Sequence, residues 1–332
     1  MKKTIVLIEP TIIPEGVEFL TARHNVIIAK NAQDETLISC INETQASALI
    51  PRTEKISRKV IEHCPTLEVI GQPGAGVDNI DVAACTENGI LVVHAPLGNA
   101  LSVAEHTMMF ILALSRNLTV WDTRVRREDW HLRDTFLPME IRGKNLLIIG
   151  LGNSGLEVAR LAKAFDMNVM GLGRASAAQM KSRGIEKIPS LSTGLAEADF
   201  VTLHVPLTPE TRHMISCREL ACMKKSAYLI NVSRGAIVDP QALYEALGSR
   251  SIAGAALDVM DPEPPGPNHP LLGMDNVLFT PHLAGDTQEA KTRCVMTMVK
   301  EVDKVLRGVR PQYIKNQAVL SQRTGLADPT QP

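Results

Sequence analysis

Hydrophobic residues fall into short runs separated by stretches of helical spacing along nearly the whole chain. Thr4–Ile8, Val26–Ala29, Ala46–Ile50, Leu67–Ile70 and Ile90–Val93 read as strands. Between them, Glu15–Ala22, Glu35–Ile41, Arg58–His63 and Val82–Glu87 repeat apolar residues at helical intervals. Such alternation predicts a parallel sheet with crossover helices. Asp81 and Ser102 read as N-caps. A long helix starts near Ser102, apolar on most sides in its first half, and is expected to run as far as Arg124–Arg127. Trp130–Arg142 reads as irregular. A second series follows from Asn145, with strands at Leu146–Ile149, Val169–Leu172, Phe200–His204, Tyr228–Val232, Ile252–Leu257 and Val277–Thr280. An amphipathic helix from about Thr287 to Leu306 closes the pattern, before a polar tail expected to fray.

Two βαβ series in 332 residues imply an α/β protein of two domains. The chain leaves the first near Asn99 and returns to it near Gly285. Residues 1–98 with 286–332 are therefore expected to form one discontinuous domain, and residues 99–285 the other. Aromatic residues are only 3% of the chain, so the cores must be built from aliphatic side chains, which suits buried parallel strands.

A net charge of −1 gives no electrostatic case for a nucleic-acid or membrane partner. The apolar run after Lys2 and Lys3 stops at Glu9 and Pro10, too early for a signal peptide, and no apolar stretch is long enough to span a bilayer. Six cysteines stand without a C-x-x-C pair, which argues against a zinc site and against a disulfide framework. No metal is expected, and the cytoplasm is the expected location.

The chemistry begins at Leu146–Gly155, an apolar run leading into G-x-G-x-x-G and then into a helical pattern. Gly150 permits the tight turn, Gly152 lets backbone approach a pyrophosphate, and Gly155 lets helix and strand pack closely. The helix start around Asn153 and Ser154 then offers free N–H groups to phosphate. At the end of the next strand an NAD-selective site carries a carboxylate for the ribose 2′-hydroxyl. Here Gly173-Arg174-Ala175-Ser176 stands instead. Arg174 can pair with a 2′-phosphate and Ser176 can donate to it, so NADP is the expected cofactor, with NAD open if Arg174 only stacks on adenine.

Three further segments place polar residues just after strands: Asn231–Asp239, Ala256–Pro264 and Phe279–Gly285. In a parallel sheet, ligands bind beyond the carboxyl ends of the strands. With the phosphate loop and Gly74-Ala75-Gly76-Val77-Asp78, these segments resemble the D-isomer-specific 2-hydroxyacid dehydrogenase family, which includes phosphoglycerate dehydrogenases and glyoxylate or hydroxypyruvate reductases. The resemblance covers nearly the whole chain. It implies two Rossmann-like domains with the active site in the interdomain cleft, a substrate-binding first domain and a dinucleotide-binding second one. Arg234 would bind the substrate carboxylate and polarise its 2-carbonyl. His282 would exchange the proton with the carbonyl oxygen. Glu263 would hold His282 as the imidazolium, with Asp261 a rival that spacing does not exclude. Asp258 would set the nicotinamide face through its carboxamide. Val205 and Pro206 would line the cofactor, and Ala75, Gly76 and Val77 would hold the substrate carboxylate.

The resemblance further implies a small 2-oxo or D-2-hydroxy acid as substrate. Arg52 lies where phosphoglycerate dehydrogenases often carry a cation for the distal anion, although a solvated arginine is an equal reading. Gln72 lies where close relatives of that type have a second arginine. A reductase of glyoxylate or hydroxypyruvate type is therefore favoured over an NAD-dependent phosphoglycerate dehydrogenase-like enzyme. A homodimer through the long helix, around Met108, Met109 and Phe110, is the expected assembly. A nicotinamide-sensing corepressor of the same ancestry is the alternative of another class.

Overall fold

The structure is a computed structural model that describes residues 2–130 and 137–321. It divides into two compact units, Met1–Asn99 with Thr287–Pro332, and Ala100–Asp286.

In the first unit, strands β1 (Thr4–Ile8), β2 (Asn25–Ala29), β3 (Ala48–Ile50), β4 (Val69–Gly71) and β5 (Leu91–Val93) form a parallel sheet in the order β2-β1-β3-β4-β5. Alternate residues of its central strands face opposite ways, as the period of a strand requires. Val6, Ile8, Leu49, Ile70 and Val92 pack on Leu37, Ile41, Val60 and Ile61. Ile5, Leu7, Ile50, Val69 and Leu91 pack on Leu20, Val295, Met298, Val299 and Val302. The last four come from the helix Gln288–Leu306, capped by Thr287, so the returning chain builds one of the two layers.

In the second unit, β6 (Asn145–Ile149), β7 (Asn168–Leu172), β8 (Glu186–Lys187), β9 (Phe200–Leu203), β10 (Tyr228–Asn231), β11 (Gly254–Leu257) and β12 (Val277–Phe279) form a parallel sheet ordered β12-β11-β10-β9-β6-β7-β8. β8 escapes the sequence pattern because it is two exposed polar residues long. Leu146–Ile149 are 0–1% exposed, and each such side chain contributes about 1.5–3 kcal/mol when fully buried. Strand order reverses between β6 and β9, and a reversal opens a crevice beyond the carboxyl ends of the two strands.

Two local expectations change. Asp81 does cap its helix, accepting from Ala84 N at 2.8 Å. Ser102 is not the N-cap: it lies inside the helix Ala100–Arg116 and is 4% exposed. The long helix is two, Ala100–Arg116 and Leu118–Arg126, because Asn117 between them is left-handed with φ 49°, a conformation asparagine tolerates. Of the Trp130–Arg142 segment, residues 131–136 lie outside the described residues, as does the polar tail beyond Ser321.

Candidate active site

The phosphate loop is shaped by two glycines. Gly150 has φ 98°, and a Cβ there would stand 2.5 Å from His204 O. A Cβ on Gly155 would stand 2.1 Å from Gly150 O, so no side chain fits where helix meets strand. The helix Asn153–Ala164 begins directly after Gly152, which supplies no side-chain cap to its first amides. A Cβ on Gly152 would meet nothing within 4 Å. A helix N-terminus without a side-chain cap, beside open space at Gly152, is a cradle for an anion, and a dinucleotide pyrophosphate fits it. Val205 lies against Gly150, and Pro206 O accepts from Thr211 Oγ1 at 2.7 Å.

After β7, Arg174 and Ser176 are exposed. Ser176 Oγ accepts from Gln179 N at 3.2 Å in a capping box, which leaves its hydroxyl hydrogen free to donate. Lys187, at the end of β8, donates to Ala175 O at 2.9 Å and adds a second cation at this point. Sequence reading misses it because the strand that carries it has no periodicity to detect.

His282 follows β12 in a left-handed conformation, φ 56°. Its Nδ1 lies 2.5 Å from Glu263 Oε1. Asp261, the rival carboxylate, faces Arg212 at 3.7 Å instead. Both side chains of the His282–Glu263 pair remain partly exposed, at 47% and 41%. Asp258 explains how the unusual turn holds. It is 1% exposed; its Oδ1 accepts from Thr280 Oγ1 at 2.6 Å and Leu283 N at 2.7 Å, and its Oδ2 accepts from Ala284 N at 2.9 Å. Its carbonyl accepts from His282 N at 2.8 Å. Every oxygen of Asp258 thus grips the turn that presents the histidine. Such a carboxylate is costly to bury and stable only when fully bonded. His106 adds a further contact, Nε2 to Thr280 Oγ1 at 3.0 Å, and burial lowers its pKa. Arg234 is half-buried after β10; its Nη1 donates to Ser233 O at 2.7 Å and its carbonyl accepts from Asn231 Nδ2 at 2.9 Å.

In the first unit, the turn after β4 carries Ala75, Gly76 and Val77. His94 Nδ1 donates to Ala75 O at 3.0 Å, and burial holds His94 below its usual pKa. The amides of Gly76 and Val77 have no partner among the described residues. Arg52 is tied down through its backbone, with its N donating to Glu54 Oε2 at 2.6 Å and its O accepting from Gln72 Nε2 at 2.8 Å. Gln72, 8% exposed, also accepts from Asn79 Nδ2 at 3.2 Å. Among the described residues, the guanidinium of Arg52 reaches only Pro10 O, at 3.4 Å.

Residues 108–284 match the family model "D-isomer specific 2-hydroxyacid dehydrogenase, NAD binding domain". The chain is 40% identical over 319 residues to a D-3-phosphoglycerate dehydrogenase of Methanocaldococcus jannaschii, covering 96% of this chain and 60% of that protein. It therefore spans less than two thirds of that longer relative. It is 37% identical over 332 residues to a glyoxylate reductase of Aeropyrum pernix, covering 97% of this chain and 99% of the relative. Among solved structures, an NADPH-dependent glyoxylate/hydroxypyruvate reductase of Sinorhizobium meliloti in complex with NADP and malonate superposes with a TM-score of 0.85 and 25% identity, covering 96% of this chain and 98% of that one. A family model matching more than half of the chain, with a relative aligned from end to end, makes this chain a member of the D-isomer-specific 2-hydroxyacid dehydrogenase family.

Proposed function

We propose that the protein reduces a small 2-oxo acid to its D-2-hydroxy acid, in the manner of a glyoxylate or hydroxypyruvate reductase, with NADPH preferred over NADH. The observation that carries the reading is His282 on Glu263 at 2.5 Å, on a turn locked by Asp258. When bound, the nicotinamide supplies hydride to the carbonyl carbon. His282 donates the proton to the carbonyl oxygen through Nε2, since Nδ1 is occupied by Glu263. Glu263 fixes the ring. Arg234 binds the carboxylate of the acid in the fork geometry that guanidinium allows. The amides of Gly76 and Val77 suit the same carboxylate. Gly150, Gly152, Asn153, Ser154 and Gly155 hold the pyrophosphate, with Val205 and Pro206 beside it. Asp258 acts by positioning His282, and any contact it makes to the carboxamide is made from a carboxylate that already accepts three hydrogen bonds.

The NADPH preference rests on Arg174 and on the hydroxyl of Ser176, with Lys187 reinforcing them; no carboxylate pairs with Arg174 among the described residues. The unphosphorylated substrate rests on Gln72, a neutral residue used in holding the Arg52 loop. A homodimer is supported by the exposed apolar residues Leu101, Met109, Leu118 and Val125 on the paired helices, whereas Met108 and Phe110 are core. No helix among the described residues is long and apolar enough to cross a membrane.

The test is loss of nicotinamide absorbance with glyoxylate, hydroxypyruvate, 3-phosphohydroxypyruvate and pyruvate. Turnover of the unphosphorylated acids with NADPH, about tenfold or more above NADH and lost in Arg174→Ala, is expected; a single charge-assisted contact has that magnitude. Preference for the phosphorylated acid with NADH overturns both choices and favours a phosphoglycerate dehydrogenase-like role. Tight cofactor binding with no turnover of any acid overturns the enzyme and favours a sensor.

A further inference from the structure

His204 meets the phosphate loop through both its backbone and its ring. It follows β9, on the far side of the switch point from β7. Its backbone N donates to Ile149 O at 2.7 Å, and its carbonyl lies where a Cβ on Gly150 would go. Its ring then spans two hydroxyls: Nε2 stands 3.0 Å from Thr202 Oγ1, and Nδ1 stands 3.2 Å from Ser154 Oγ. Thr202 is fully buried, at 0% exposure, and the ring is the partner of its hydroxyl among the described residues.

Those contacts fix the tautomer. A neutral imidazole has one N–H and one bare nitrogen. If Nε2 carried the hydrogen, it would donate to Thr202 and leave the buried threonine hydroxyl hydrogen without an acceptor. Thr202 therefore donates to a bare Nε2, and the hydrogen sits on Nδ1, where it donates to Ser154 Oγ. With its oxygen occupied as acceptor, the Ser154 hydroxyl hydrogen turns outward. Ser154 is the second residue of the helix that receives the pyrophosphate, so that hydrogen joins the helix amides in facing an anion. The reverse arrangement would aim the Ser154 hydrogen at the ring and its lone pairs at the phosphate.

We propose that His204 is a positioning residue for the cofactor, the middle of a relay Thr202→His204→Ser154 that makes the Ser154 hydroxyl a donor to the pyrophosphate. The proposal rests on the dinucleotide reading of the loop above. Desolvation of the ring lowers its pKa to about 3, so the ring stays neutral and the relay keeps its direction throughout the working pH range.

The experiment has a part that needs no cofactor. In the free protein, imidazole 15N shifts are expected to show His204 protonated on Nδ1 and bare on Nε2; the opposite tautomer overturns the relay whatever the protein binds. The second part titrates NADPH and NADH into wild type, His204→Phe, His204→Asn, Ser154→Ala and the double variant His204→Phe/Ser154→Ala. His204→Phe and Ser154→Ala are each expected to raise the Kd and KM for the nicotinamide about tenfold, with kcat at saturating cofactor reduced by less than about threefold. The double variant is expected to be no worse than either single one, because both break the same chain. His204→Asn, whose amide can donate from the place of Nδ1, is expected to recover most of the loss. An unchanged Kd in the single variants, or additive losses in the double, overturns the relay. Absence of nicotinamide binding by the wild type overturns the dinucleotide reading instead, and the tautomer result still decides the internal relay.

Discussion

At the end of β9, the ring nitrogens of His204 stand on two hydroxyls; three strands away in the same sheet, at the end of β12, His282 stands on a carboxylate and is half exposed. The first ring is desolvated and neutral, and its backbone is in ordinary contact with the phosphate loop. The second is held in left-handed backbone by Asp258, at a cost that a packed scaffold must over-determine. On the proposed reading, the same side chain serves once to hold a direction and once to exchange a proton. Residue type says little about which; the partner atoms decide.

A large loss is expected at Glu263. Replacing it with glutamine keeps the shape and a possible contact to Nδ1 but removes the charge beside the ring, and is expected to reduce kcat about a hundredfold while leaving the cofactor Kd unchanged. A kcat within about threefold of wild type would make the His282–Glu263 contact a surface ion pair of little consequence.

A smaller effect sharpens the other side. The folded protein holds His204 at about 3, against an ordinary 6.5. Between those values the unfolded chain binds a proton that the folded chain does not, so stability falls as pH drops from about 6.5 towards 3. His94 and His106, also lowered by burial, act in the same direction. Urea midpoints at about pH 7 and about pH 4.5 should show this decline in wild type and a shallower one in His204→Asn. An equal decline in both would place the acid sensitivity elsewhere.

Most of the scaffold was legible because aliphatic runs bounded by turn residues identify buried parallel strands, and β1 and the helix Val82–Glu87 fall on the expected residues. What escaped the pattern lacked a pattern. β8 has two polar residues, and the break at Asn117 depends on a single left-handed residue inside a continuous helical period. Spacing alone left Glu263 and Asp261 open, because two carboxylates two residues apart look alike in a loop; the resemblance favoured Glu263, and it is Glu263 that meets the His282 ring while Asp261 faces Arg212. Asp258 stood out in the sequence, yet its use as the anchor of the 280–284 turn requires three donors that come together only in space. His204 went unremarked between Leu203 and Val205 because a histidine at a strand end is usually a satisfied structural residue. Its significance came from Ser154, fifty residues earlier, at 3.2 Å.

The division of work between the two histidines is measured most directly by setting His282→Ala and His204→Phe side by side, with cofactor binding and saturated turnover read on each. The account predicts that His282→Ala binds nicotinamide normally and loses about 10²–10⁴ in kcat, while His204→Phe binds about tenfold more weakly and turns over at nearly the wild-type rate once saturated. Near-normal turnover in His282→Ala, or loss of the same quantity in both variants, would contradict it.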